Sequence, residues 1–314
     1  MRRRVYLSAA LASLAAGAGL AQTPATLSLG TATPGGGFPV YGDAFAKVVN
    51  GSGAGLLIEP RNTKGSLENI PLLESGQLDI ALVAGEPAFE ALNGIGRPAA
   101  NLRIVTAMYS TPGMFVVRGD SPYRTIGDLK GRSIAFGARG SGLPILARYV
   151  LDGLGLDQER DFQAVFLTNA GDGPVMLREG KVAALWGGGT GWPGFVTMMK
   201  EGGRFIAPSA DEITRIRAKH SFLGDLTLAA NSYPGQTDAV RSVGSWSFVL
   251  ARPALEDAAV YQLTRALHRS EAVFAETLVQ ARESTAANTA KAAYRPELLH
   301  PGTRKYLQEI GLVR

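Results

Sequence analysis

The sequence predicts a mixed α/β protein with two α/β lobes, a hinge and a ligand cleft between the lobes. Short apolar segments alternate with helical stretches, Gly-rich turns join them, and this rhythm runs twice before a helical tail. Such alternation is typical of βαβ units and of a mainly parallel sheet with both faces covered. About 290 residues follow the N-terminal leader described below, which is enough chain for two hydrophobic cores.

The individual elements follow from runs of apolar and β-branched residues separated by turn signals. Strands are predicted at 26–30, 56–59, 79–83, 102–108, 133–136, 163–166 and 183–186. Helices are predicted at 41–49, 66–74, 141–154, 173–179, 254–282 and 302–310. The final helices follow the second α/β half, so we expect them to pack back on the first lobe. Lobe 1 is then formed by 22–111 plus 243–314, and lobe 2 by 112–242.

The N-terminus predicts export. Arg2, Arg3 and Arg4 precede an apolar stretch over 5–19, and Gly19-Leu20-Ala21 supplies small residues before Gln22. This order is typical of a Sec-type signal peptide over 1–21, with an uncleaved N-terminal anchor as the alternative. The chain has no cysteine, so it offers neither a lipid-anchoring thiol nor a disulfide framework. We therefore expect a freely diffusing periplasmic monomer.

Charge and motifs exclude several classes of function. Without the three leader arginines, 29 basic residues face 27 acidic ones, a net +2, and no basic run with interleaved aromatics remains, so nucleic acid is not an expected partner. Gly35-Gly36-Gly37 lacks the third glycine of a dinucleotide loop, and neither a P-loop nor a G-x-S-x-G elbow occurs. The three histidines show no metal-ligand spacing. No catalytic residue, metal or cofactor is therefore predicted.

Three Gly-rich strand-to-helix junctions remain as candidates for ligand binding. They are 31–38 with Tyr41 just beyond, 62–66 with Ser66 as a helix cap, and 137–142 with Ser141. Helix N-termini at the carboxyl ends of strands present free N–H groups and a positive dipole end, which suits a carboxylate. The alternative is that these glycines only make tight turns and the serines only cap helices.

Several motifs, in order along the chain, resemble the TAXI family of extracytoplasmic solute receptors. They are Gly30-Thr31 with Gly35-Gly36-Gly37-Phe38-Pro39, then 63–69, 73–80, Asn93-Gly94, 126–132, 137–142, Tyr233-Pro234-Gly235-Gln236, and His300-Pro301-Gly302 with Tyr306. The resemblance implies a type II periplasmic-binding-protein fold that closes on a small anionic ligand and delivers it to a Na⁺-coupled TRAP permease. It also implies a cleft built by Gly36, Gly37, Phe38, Tyr41, Lys64, Gly65, Ser66, Gly140 and Ser141, with Leu185-Trp186-Gly187 as the far wall.

Departures from the family pattern bear on the ligand. Glu86 stands in Val83-Ala84-Gly85-Glu86, where relatives carry a Gln nearby, and Lys64 stands where Gly is frequent. Lys64 or Arg139 would pair with a carboxylate, and Trp186 would add an aromatic wall for an apolar part of the ligand. The alternatives are a solvated Lys64, a core Trp186, and a Glu86 that only complements its helix dipole.

Two further classes stay open at this point. An ABC-type substrate-binding protein, or a periplasmic ligand sensor, would share the fold and the location. An enzyme on the same fold would need a nucleophile, metal or cofactor lysine, and no such constellation is present.

Overall fold

We describe residues 24–314 in a computed structural model; the predicted signal peptide lies outside this range. The strands are β1 (Ala25–Gly30), β2 (Leu56–Arg61), β3 (Ile80–Val83), β4 (Arg103–Val117), β5 (Ser133–Ala138), β6 (Gln163–Leu167), β7 (Ala184–Gly188), β8 (Arg204–Ile206), β9 (Gly224–Leu228) and β10 (Val240–Ala251). Within 24–314, no helix combines the length and apolarity that a membrane crossing requires.

The helices connect and cover these strands. They are α1 (Gly37–Gly51), α2 (Ser66–Glu74), α3 (Gly85–Asn93), α4 (Leu143–Gly153), α5 (Asp172–Arg178), α6 (Pro193–Lys200), α7 (Ala210–Lys219), α8 (Asp257–Arg269), α9 (Glu271–Thr277), α10 (Ala286–Ala292) and α11 (Pro301–Glu309). Short 3₁₀ turns at Gly127–Leu129, Val279–Glu283 and Pro296–Leu298 complete the chain.

The strands form two parallel groups that are joined by two long antiparallel strands. The order is β2-β1-β3-β10-β4-β7-β5-β6, with β8 beside β4 and β9 beside β10. Strands β1, β2 and β3 pair in parallel, as do β5, β6 and β7. The predicted parallel character therefore holds within each group, whereas β4 and β10 run antiparallel to their neighbours.

The hinge is the pair β4–β10. Strand β4 pairs with β10 from Arg103 to Pro112 and then with β7 from Gly113 onwards. Strand β10 pairs with β9 up to Gly244 and with β4 and β3 beyond it. The predicted strand at 102–108 is too short, because the buried apolar sequence continues to Val117. The positions at which β4 and β10 change their neighbouring strands lie close to the predicted lobe boundaries at 111/112 and 242/243. These boundaries stay predictions.

Each lobe has its own buried core, and the C-terminal helices cover the first lobe as expected. Phe274 on α9 packs against Tyr41 and Phe45 of α1, with ring centroids 5.3 and 6.3 Å apart. On α11, the Thr303 hydroxyl donates to the Val105 carbonyl at 3.0 Å. His300 is buried and caps α11 by accepting the Gly302 N–H at 3.2 Å.

Candidate functional site

A cavity of about 70 Å³ lies between the two lobes, beside the hinge strands. Its walls come from β1–α1, α2, α3, β4, β10, β5–α4, the turn before α5, and β7–α6. The lining residues are Ala32, Thr33, Gly36, Gly37, Phe38, Gly65, Ser66, Ala84, Glu86, Tyr109, Thr111, Ala138, Ser141, Gly142, Leu143, Leu146, Ala170, Gly188, Trp192 and Ser247. Both lobes contribute, so a molecule in this cavity contacts both.

Five helices of the described part of the chain begin at the cavity wall: α1, α2, α3, α4 and α6. Within 24–314, the N–H groups of Gly37, Ser66 and Gly142 donate to no other residue, as expected in the first turn of a helix or at its cap. Such N–H groups and the positive ends of the helix dipoles favour an electronegative group of a ligand. The Ala84 N–H donates to Ser66 Oγ at 3.0 Å and so ties the start of α2 to the loop before α3.

Part of the predicted site is brought together here. Seven of the predicted residues line the cavity: Gly36, Gly37, Phe38, Gly65, Ser66, Glu86 and Ser141. The Ser141 hydroxyl donates to the Ala138 carbonyl at 2.8 Å, so it also closes the turn that leads to α4. All three Gly-rich junctions thus reach one cavity. The predicted capping role of the serines is wrong, because the N-caps of α2 and α4 are Gly65 and Gly142, and neither helix has a side-chain cap hydrogen bond.

The two basic residues predicted to bind the ligand, Lys64 and Arg139, do not line the cavity. Lys64 is exposed, and its backbone N–H donates to Glu68 Oε2 at 2.5 Å. Arg139 is also exposed and lies 4.6 Å from the ring centroid of Phe166. Gly140 contacts the other lobe through its backbone, since its carbonyl accepts the Leu67 N–H at 3.0 Å.

Tyr41, Trp186 and Gly187 belong to the cores rather than to the cavity wall. The Tyr41 hydroxyl pairs with Ser284 Oγ at 2.9 Å, and burial raises the pKa of this phenol. Trp186 is fully buried in the second lobe, where its Nε1–H donates to the Leu143 carbonyl at 3.0 Å. A Cβ at Gly187 would meet the Trp192 ring at 2.4 Å.

Sequence reasoning missed Trp192, which supplies the aromatic wall that was expected of Trp186. Its backbone N–H donates to the Tyr233 hydroxyl at 2.8 Å, and that hydroxyl donates to the Gly189 carbonyl at 2.7 Å. Tyr233 therefore positions the turn that presents Trp192. The Trp192-Pro193 pair at the start of α6, directly after four glycines in five residues at 187–191, is the sequence signal that could have identified it.

The hinge side of the cavity is polar. The Ser245 hydroxyl donates to Glu86 Oε1 at 2.6 Å, and burial raises the pKa of this carboxyl to about 7. The register of β4 against β10 shifts between Trp246 and Phe248, which places an extra residue on β4 beside Ser247. Such irregularities re-aim side chains next to binding sites. Ser247 and Tyr109, at this irregularity, both line the cavity.

The lobes are in contact around the cavity, mostly through glycines. A Cβ at Gly35 would lie 2.6 Å from Gly171 of the other lobe, and one at Gly65 would lie 3.0 Å from the Gly140 carbonyl oxygen. Further out, Phe89 of α3 stacks on Phe222 with centroids 4.1 Å apart. At Gly35 and Gly65 the two backbones come so close together that only residues without side chains fit there. The structure is therefore the closed form.

A model of the NMT1-like family matches residues 29–311 of this chain. The chain belongs to the NMT1-like family. That match alone implies no ligand class.

Solved structures share the fold of this NMT1-like protein. A protein from Bordetella bronchiseptica RB50 has a TM-score of 0.56 at 18% identity, over 92% of this chain and 98% of that chain. PhnD1 from Prochlorococcus marinus, in complex with methylphosphonate, has a TM-score of 0.55 at 13% identity, over 92% and 100%. A binding protein component of an ABC phosphonate transporter from Pseudomonas aeruginosa has 0.53 at 12%, over 83% and 80%. These likenesses confirm the predicted two-lobed periplasmic-binding-protein fold.

Closure of this NMT1-like protein should depend on Gly142. A Cβ there would lie 2.2 Å from the Ala84 Cβ of the other lobe, while its φ of −76° and ψ of −17° suit alanine. Gly142→Ala is therefore expected to hold the lobes apart and to weaken ligand binding at least tenfold. Small-angle scattering with saturating ligand should show the open form.

The matched control is Gly51→Ala. Gly51 ends α1, and a Cβ there would meet no atom within 4 Å. This variant should bind and close like the unmodified protein. Unchanged affinity in Gly142→Ala would contradict the closed form as the ligand-bound state.

Proposed function

We propose that this NMT1-like protein is an extracytoplasmic solute receptor that encloses a small organic molecule and delivers it to an ABC-type membrane permease. The observation that carries the proposal is the cavity between the lobes, whose wall is shared by both lobes. Ligand contacts that form only on closure shift the population toward the closed state, by as much free energy as those contacts supply. A permease can then distinguish loaded from empty receptor by its shape. This role is one of binding and not of catalysis.

Two kinds of membrane permease are candidates for the partner. The motif resemblance to TAXI receptors favours a Na⁺-coupled TRAP permease. The NMT1-like family match and the similarity in fold to a component of an ABC phosphonate transporter favour an ABC permease, and we adopt the latter. A gene for an ATPase beside the receptor gene supports our choice, whereas a gene for a fused multi-span permease supports the TRAP reading.

We propose that an electronegative head group of the ligand binds at the helix N-termini. Gly37, Ser66 and Gly142, whose N–H groups donate to no other residue of 24–314, all line the cavity, and so do the hydroxyl-bearing residues Ser66 and Ser141. Phosphonate, sulfonate and carboxylate groups all accept several hydrogen bonds and suit such a site. Phe38, Trp192 and the leucines of α4 then enclose an apolar part of the ligand.

A thermal-unfolding panel tests the receptor function. The mature protein, stripped of carried-over ligand by unfolding and refolding, is heated with methylphosphonate, alkanesulfonates, mono- and dicarboxylates and amino acids. A true ligand at 100 times its Kd raises the free energy of unfolding by about 2.7 kcal/mol, which moves the melting temperature by several degrees. One chemical class should respond and the others should not. Silence across the panel, with correctly folded protein, would contradict the proposal.

A further inference from the structure

The cavity contains one charged side chain, and it has the wrong sign for a simple anion. Of the described residues that line the cavity, Glu86 alone carries a full charge when ionised; no lysine or arginine is among them. Glu86 is 1% exposed, so bulk water cannot solvate its carboxylate. Buried charges in proteins are normally paired. A ligand that presented only an anionic group to this end of the cavity would add repulsion to that cost.

The protein leaves acceptor capacity on Glu86 unused. A carboxylate can accept about four hydrogen bonds, and among residues 24–314 the partners of this one are the Ser245 hydroxyl and the Glu86 backbone N–H. The nearest arginine that pairs with α3 is Arg148, which contacts Glu90 one turn away and outside the cavity. The missing donors must therefore come from whatever occupies the cavity.

Two hydroxyls that line the same cavity as Glu86 have no hydrogen-bond partner among residues 24–314. Ser247 is 1% exposed and lines the cavity, and its hydroxyl makes no hydrogen bond to another residue of 24–314. Thr111 Oγ1 is buried without a hydrogen-bond partner in the same part of the chain and lines the same cavity. A buried polar atom without a partner costs free energy unless a ligand or water supplies one. Both residues lie on the hinge strands close to Ser245, which donates to Glu86: Thr111 is paired with Ser245 across the two strands, and Ser247 is two residues further along β10.

We propose that Glu86, with the hydroxyls of Ser247 and Thr111, forms a subsite for a nitrogen-based donor group, so that the ligand is a small acid that also carries an ammonium, amine or amidine. The inference rests on the proposed receptor function and narrows its substrate class. The helix N-termini hold the acidic group, the nitrogen faces Glu86, and Trp192 and Phe38 enclose the carbon chain between them.

Matched pairs of compounds test the subsite in the wild-type protein. The pairs are methylphosphonate with aminomethylphosphonate, ethanesulfonate with 2-aminoethanesulfonate, and propionate with 3-aminopropionate, each titrated by calorimetry. In the pair whose acidic group fits, the amine-bearing member should bind at least tenfold more tightly. Tighter binding of the member without nitrogen would overturn the subsite and leave the receptor function standing. Absence of binding by every member would count against the receptor function and against the subsite together.

Variants on α3 separate selectivity from closure. Glu86→Gln keeps the shape but removes the charge, so it should weaken the amine-bearing ligand 10- to 100-fold, as expected for a charged hydrogen bond, and leave its partner compound unchanged or tighter. Glu90→Gln is the control, because Glu90 pairs with Arg148 and Tyr149 of the second lobe. It should weaken both members of a pair by the same factor. If Glu86→Gln lowered the affinity for both members of a pair equally, Glu86 would have a structural role and would not bind the nitrogen group.

Discussion

Replacing Trp186 with alanine is expected to lower the free energy of unfolding by about 3–5 kcal/mol, the range found when large aromatic side chains are removed from cores. Trp186 has no exposed surface, and its ring lies against Phe115 with centroids 4.7 Å apart. Truncation also leaves the Leu143 carbonyl without the indole donor. Urea unfolding of the ligand-free protein measures the loss. A loss below about 1 kcal/mol would contradict the core assignment.

In contrast to removing Trp186, removing the Trp192 side chain should affect ligand affinity more than stability. Its ring borders the cavity, so Trp192→Ala should reduce affinity at least tenfold and destabilise the protein less than Trp186→Ala does. The chain has three tryptophans, which allows a spectroscopic control. A ligand-induced change in tryptophan fluorescence should persist in Trp186→Phe and disappear in Trp192→Phe. The reverse pattern would restore Trp186 to the binding site.

The second large effect is a dependence of stability on pH that Glu86 introduces. Burial raises the pKa of Glu86 from 4.5 to about 7 in the folded protein. Between these values the folded state holds a proton that the unfolded state has released, so the contribution of Glu86 to stability falls as pH rises from about 4.5 through 7. At about 1.4 kcal/mol per pKa unit, the ligand-free protein loses about 3 kcal/mol across this window.

Glu86→Gln isolates this effect from the other titrating groups. Ser245 donates to Glu86, while the carboxylate of Glu90 opposes its ionisation, and Tyr149, whose pKa is also raised, lies near it. The variant should match the wild type at pH 4 and exceed its free energy of unfolding by about 3 kcal/mol at pH 8. Denaturant titrations at both pH values measure the difference. A difference that does not grow with pH would show that Glu86 is ionised without cost.

Local patterns in the sequence located the helix starts that define the cavity. Helix α2 begins at Ser66 and ends at Glu74, as its pattern predicts. The Gly-rich junctions before α1, α2 and α4 all reach the cavity wall, because they follow the carboxyl ends of strands, and the caps of these helices are Gly36, Gly65 and Gly142. Residues whose role comes from their position at such a turn, Gly37 and Ser66 among them, could therefore be predicted.

Side-chain roles that depend on partners far away in the sequence could not be predicted. Trp186 and Trp192 are six residues apart. Trp186 is a core residue because its ring packs on Phe115, whereas the hydrogen bond from the Trp192 N–H to the Tyr233 hydroxyl holds Trp192 at the cavity. Lys64 and Arg139 sit in the right loops, but their flexible side chains extend to solvent, where charges are better hydrated.

By itself, the sequence determined the alternation of strands and helices in two α/β lobes and the Gly-rich turns at which helices begin, since both depend on neighbours along the chain. The tertiary structure alone decided that β4 and β10 form the hinge and that Trp192 closes the cavity. It also decided that Glu86 is buried against Ser245, 159 residues away. Contacts over such separations depend on how the strands pair and how the lobes meet, which the order of residues does not reveal locally.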